Sequence, residues 1–141
     1  MNRSPVVELV GTAPVYQHPT DAGADLYAAE DVEIPSQGRL RVKTGTKVAI
    51  PEGWVGMVCP RSGLAAGAGI TVLNAPGIID SGFRGELEVL LYNSDGTTHY
   101  VPKGIRIAQL VLLPYGQAVF TPVHRLPPAE RGSGGFGSTG L

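Results

Sequence analysis

The chain has 141 residues, enough for one domain and no more. Hydrophobic residues supply 43% and charged ones 16%, a balance that can bury a core and excludes wholesale disorder. Eleven basic against twelve acidic side chains leave a formal charge of −1, so nothing in the electrostatics calls for nucleic acid or an anionic membrane as partner.

Cys59 is the single cysteine, which rules out an internal disulfide and a thiolate metal cage. The segment from Met1 to Pro14 lacks the apolar run of a secretory signal and is interrupted by Pro5 and Pro14. No stretch approaches the roughly 18–20 apolar residues that cross a bilayer. The expected setting is cytoplasmic.

Short strand-like segments separated by turn clusters dominate the chain, helped by 20 glycines and 12 prolines. In order they are Val6–Val10, Ala24–Ala28, the alternating run Arg39–Lys43, Lys47–Ile50, Trp54–Val58 and Ile70–Leu73. The strongest pair of strands is Glu86–Tyr92 and Ile105–Leu113. The first of these starts with period two and turns apolar throughout at Leu90-Leu91-Tyr92, the pattern of a strand covered on both faces. The one helical candidate is a turn at Arg61–Ala66, after Pro60. Many short strands with frequent turns predict an all-β domain, an antiparallel sandwich, jelly roll or small barrel.

One more strand is expected at Gln117–Val123. Residues 1–125 thus read as the β domain, and 126–141 as a Pro/Gly-rich linker followed by a flexible arm, Arg131 to Leu141. A tail so rich in glycine buries too little surface to hold itself folded. Its arginine, phenylalanine and hydroxyls are groups suited to closing over an aromatic, anionic ligand, although an inert terminus has the same composition.

Four clusters carry groups capable of chemistry. Asp21-Ala22-Gly23-Ala24-Asp25-Leu26 enters a strand with two carboxylates four apart, on the same side of an extended chain. They serve either one site or a solvated turn. Arg61-Ser62-Gly63 brings a guanidinium, a hydroxyl and free backbone N–H groups to a helix start, donors that suit a phosphate chain or an ordinary cap. From Asn74 to Leu87 the sequence reads as a β-hairpin whose glycines let a ligand approach the backbone. Within it Asn74 can read a planar polar ring through its amide, and Asp80 can hold and deprotonate a water. Gln109, among the aliphatics of 106–110, needs partners, either protein groups or ligand oxygens. Phosphate-loop, Gly-x-Ser-x-Gly and His-Glu-x-x-His motifs are missing, and one cysteine cannot build the zinc deaminase signature.

In this order, the clusters resemble the five motifs of the trimeric dUTP diphosphatase (dUTPase) family: Asp21–Leu26, Pro60–Ala65, Gly77–Gly85, Arg106–Pro114 and Arg131–Gly140. The resemblance implies a jelly-roll-like homotrimer with active sites at subunit interfaces, hydrolysing dUTP to dUMP and pyrophosphate with Mg²⁺ on the triphosphate. It implies that Asp25 holds waters of the Mg²⁺ shell, and that Arg61, Ser62, Gly63 and Gln109 contact phosphates. Asn74 would read uracil with backbone groups near Phe83 and Leu87, and Asp80 would activate the attacking water. From the arm, Phe136 would stack on uracil, Arg131 would meet the terminal phosphate, and Ser138 and Thr139 would add hydroxyl contacts. Phe83 departs from the family's usual tyrosine; its ring would still form the floor under deoxyribose that leaves no room for a 2′-hydroxyl. Two other readings share the scaffold, a dCTP deaminase and a non-catalytic nucleotide sensor.

Overall fold

Between Arg39 and Lys43, charged residues alternate with Leu40 and Val42, and the chain forms a strand there with its charges exposed and Val42 buried. The same logic, repeated in short pieces, builds the molecule. The computed structural model describes residues 4–140; Met1–Arg3 of the amino-terminal segment and Leu141 of the tail lie outside the described residues.

In chain order the strands are β1 (Glu8–Gly11), β2 (Gly23–Tyr27), β3 (Val32–Ile34), β4 (Arg39–Lys43), β5 (Thr46–Ala49) and β6 (Trp54–Cys59). After the helix α1 (Ser62–Ala68) come β7 (Ile70–Val72), β8 (Gly77–Ile79), β9 (Glu88–Asn93), β10 (His99–Val101) and β11 (Arg106–Pro114). All pairings are antiparallel. One sheet runs β2-β11-β6-β8, another β4-β9-β7, and β1-β5 and β10-β3 form two-stranded ribbons. The all-β expectation holds.

One core joins these sheets. Leu26, Val58, Ile107 and Leu110 from the four-stranded sheet pack in the same cluster as Val42, Ile70, Val72, Val89 and Leu91 from the three-stranded one. Buried polar groups are few and bonded. Asn93 donates to the carbonyls of Ile34 and Thr97 and accepts from the Asp95 N–H, tying the β9–β10 turn to β3. Among the described residues, no buried side-chain polar atom lacks a partner.

Four expectations are corrected. Gln117–Val123 is not a strand: Val119 and Phe120 are 93% and 91% exposed, and among the described residues no strand pairs with the segment to complete its backbone bonds. The Asn74–Leu87 segment is not a β-hairpin ladder, since β8 pairs with β6 while β9 pairs with β4 and β7. The two strongest strands, β9 and β11, belong to different sheets. Nor is β9 covered on both faces: burial alternates along it, with Leu90 and Tyr92 half-buried.

Candidate active site

The residues that gather first do so through β2 and β11. Strand pairing sets Gln109 opposite Asp25 on one side and opposite Cys59 on the other, so these three form a row across the sheet. A register shift between Arg106 and Ala108 inserts an extra residue, and Arg106 then pairs with Tyr27 on the Asp25 face. Bulges of this kind re-aim a side chain. Without the shift, strict alternation would turn Arg106 away from Gln109.

Arg61 arrives from the end of β6. It occupies the N-cap of α1 without making a side-chain cap bond, and its guanidinium goes instead to Asp25. Gly69, in the left-handed region, ends that helix about two turns later, with its N–H on the carbonyls of Ala65 and Leu64.

The Asp25 carboxylate, 6% exposed, sits between two guanidiniums: Arg61 Nε at 3.2 Å from Oδ1 and Arg106 Nη1 at 3.5 Å from Oδ2. Arg61 Nη1 also donates to the Arg106 carbonyl at 3.4 Å. Gln109 Nε2 donates to the Pro60 carbonyl at 2.8 Å, fixing the chain just before Arg61 and leaving one amide hydrogen over. Gly23 makes room for that amide, since a Cβ there would collide with Gln109 Oε1. The result is a cavity of about 400 Å³ lined by Gln17, His18, Asp21 and Gly23 together with Asp25, Arg61, Ser62, Arg106 and Gln109. Asp21 is held there by a turn, accepting from the His18 N–H at 2.9 Å. Two guanidiniums, a hydroxyl and an amide around one carboxylate give the cavity a set of donors of the kind that bind anionic oxygens.

The structure therefore brings Asp25, Arg61, Ser62 and Gln109 together, with Gly63 next along α1. The sequence reading singled out neither Arg106 nor His18. A charge opening the otherwise aliphatic strand β11 was the available signal for Arg106.

Asn74, Asp80 and Phe83 stand elsewhere. Asn74 lies in the turn after β7, with its Nδ2 beside Gly77. Asp80 follows β8 and is exposed. A turn carries the chain on, Phe83 N–H donating to the Asp80 carbonyl at 3.1 Å, and the Phe83 ring is 43% exposed. Arg84 Nη1 clips this turn through the carbonyls of Ser81 at 2.6 Å and Phe83 at 3.0 Å. Because Ile79 pairs with Gly56, Asp80 falls level with Val55, about 20 Å along β6 from Arg61 at roughly 3.3 Å per residue. Leu87, expected to lend backbone groups to a ligand, has both committed to the fold: its N–H goes to Thr46, and its carbonyl accepts from the Thr44 N–H and hydroxyl.

The described part of the tail curls into successive turns, with Arg131 Nε donating to the Gly134 carbonyl at 2.7 Å. Phe136, Ser138 and Thr139 are exposed.

A family model described as dUTPase matches residues 10–140, the span that carries every one of these groups. The chain belongs to the dUTPase family. It is 50% identical over 138 residues to the deoxyuridine 5'-triphosphate nucleotidohydrolase of Cutibacterium acnes, covering 97% of this chain and 91% of that protein. Among solved structures it is similar to a mutant of the Staphylococcus bacteriophage 80alpha dUTPase with dUpNHpp, at a TM-score of 0.87 and 28% identity over 98% of this chain and 100% of the other. A mutant dUTPase of the S. aureus phage phi11, whose structure details the coordination of a structural Mg(II) ion, gives a TM-score of 0.81 at 25% identity, covering 87% of this chain and 99% of that one. As a dUTPase fold, the chain places the family's first, second and fourth motifs around one cavity and its third at a distance.

Proposed function

We propose that this chain hydrolyses dUTP to dUMP and pyrophosphate, in active sites completed between chains of a homotrimer. The carrying observation is the Asp25–Arg61–Arg106 cluster with Ser62 and Gln109, a polyphosphate pocket in a chain of the dUTPase family.

Hydrolysis at the α-phosphorus needs an in-line water and neutralisation of the oxygens that gain charge. Arg61, Ser62, the Gly63 backbone and Gln109 supply donors for the phosphates, and Arg106 joins them. Asp80 is the carboxylate for the water: it is exposed and, among the described residues, has no ion-pair partner, whereas Asp25 faces two arginines. It orients the water and accepts its proton, worth about 10²–10⁴-fold. No covalent nucleophile is required.

The pocket suits Mg²⁺ carried on the triphosphate rather than caged by protein. Among the described residues, no group of three or more His, Cys, Asp or Glu is placed to hold a metal. Asp25 lines the cavity, and its carboxylate has acceptor capacity beyond the two guanidinium contacts that would serve a water of a hydrated ion. When bound, Mg²⁺ neutralises charge on the phosphate oxygens.

Distance favours shared sites. With Asp80 about 20 Å along β6 from Arg61, a neighbouring chain's Asp80 loop is better placed to face this phosphate pocket than the chain's own. Exposed Val119, Phe120 and Val123 offer apolar surface for such a contact. In the assembled site Asn74 reads the uracil edge, where O4 accepts and cytosine would donate, so a cytosine leaves groups unpaired. Phe83 lies under the deoxyribose. The arm, residues 126–141, then closes with Phe136 on uracil, Arg131 on the terminal phosphate, and Ser138 and Thr139 adding hydroxyl contacts. Its ordering waits for nucleotide.

Pyrophosphate release measured across dUTP, UTP, dCTP and dTTP, with and without Mg²⁺, tests this. Release is expected from dUTP with Mg²⁺ alone. Equal release from UTP, or ammonia from dCTP, would overturn the assignment.

A further inference from the structure

We propose that Gly85 is a positioning residue for sugar discrimination: its missing side chain lets the Phe83 ring lie down on the backbone and fixes the height of that floor. The inference rests on the reading of Phe83 as the surface beneath deoxyribose.

A Cβ built on Gly85 would stand 2.7 Å from Cζ of Phe83, 3.2 Å from Cε2 and 3.5 Å from Cε1. Ordinary carbon contacts lie near 3.5–4.0 Å, so the ring tip would have to move by about 1 Å. The backbone imposes no such bar. Gly85 is outside the left-handed region, and alanine can adopt its conformation. The ring is thus what requires glycine at this position.

Little else in the loop can yield. Phe83 N–H is bonded to the Asp80 carbonyl, and Arg84 clips the carbonyls of Ser81 and Phe83. A methyl at position 85 therefore lifts the ring off the backbone toward its open side, where the sugar is to sit. Asp80, at the start of the same turn, keeps its place.

Gly85→Ala is expected to raise KM for dUTP by about ten- to a hundred-fold with kcat little changed, because a misplacement of 1 Å is felt on that scale. The raised ring also narrows the space a 2′-hydroxyl would need, so UTP loses more and the dUTP/UTP ratio of kcat/KM grows. The deciding comparison is the double variant. In a Phe83→Ala background there is no ring to displace, and Gly85→Ala should alter KM less than two-fold. An unchanged KM and ratio in Gly85→Ala would overturn the proposal. So would an equal loss with and without the ring, or an unfolded Gly85→Ala, since residues 82–85 are all exposed and the effect would then not act through Phe83. If Phe83→Ala itself leaves the ratio intact, the reading of Phe83 as the sugar floor fails instead.

Discussion

Asp25 is the residue on which the cavity beside β2, β11 and α1 turns. It is buried and faces two guanidiniums whose side chains are 25% and 43% exposed. Removing one member of a fully buried ion pair costs about 3–5 kcal/mol, and here water reaches the arginines, so Asp25→Asn should lower stability by about 1–2 kcal/mol. The urea midpoint measures that loss, and dUTP turnover should fall far more steeply because Arg61 and Arg106 lose their common anchor. Asp80, exposed by contrast and without an ion-pair partner among the described residues, should tolerate change structurally: Asp80→Asn is expected to cut turnover by about 10²–10⁴-fold while melting temperature and nucleotide affinity hold. Undiminished turnover would remove Asp80 from the role of base. Both carboxylates were legible in the sequence because each lies in a short cluster that carries glycine within two residues, Gly23 before Asp25 and Gly82 after Asp80. Arg106 was not, since its approach to Asp25 depends on the shifted register at Ile107, which alternation cannot foresee.

Among the elements, β6 links the two halves of the chemistry, carrying Arg61 beyond one end and pairing with the strand that precedes Asp80. Gly56 lets them pack closely: a Cβ there would stand 2.7 Å from Ile50 Cδ1 and 3.2 Å from both Ile79 Cβ and Leu110 Cδ1. Gly56→Ala should therefore destabilise by about 1–3 kcal/mol and reduce turnover as well, because Ile79 moves with Asp80 attached. Thermal melting and kinetics on one preparation check both effects. Strands of four or more residues were readable from their pattern, from Arg39–Lys43 to Arg106–Pro114. Of the three-residue strands, Ile70–Val72 was readable, whereas Val32–Ile34 and His99–Val101 were not, being too short to display a period.

For the whole molecule, apolar side chains remain on the surface of a single chain in the segment after Pro114: Val119, Phe120, Val123 and Leu126 are 93%, 91%, 60% and 79% exposed. A strand-like sequence without a partner edge fits burial against another copy. Light scattering should give three times the 14.7 kDa of one chain. Truncation before Arg131 should keep that mass and the melting temperature while crippling turnover; full activity without the tail would detach the arm from the site. Truncation before Gln117 should instead reduce the trimer to smaller species.

By itself the sequence determined the all-β class, the order of the motifs and the kind of chemistry, because strand alternation, turn residues and short spacings are local properties of the chain. Only the tertiary structure decided that Arg106 joins Asp25, that Gln109 holds the Pro60 carbonyl, and that Asp80 stands far from Arg61. Those facts depend on register and on which strands neighbour each other, and register is set by packing across the sheet rather than by any residue alone.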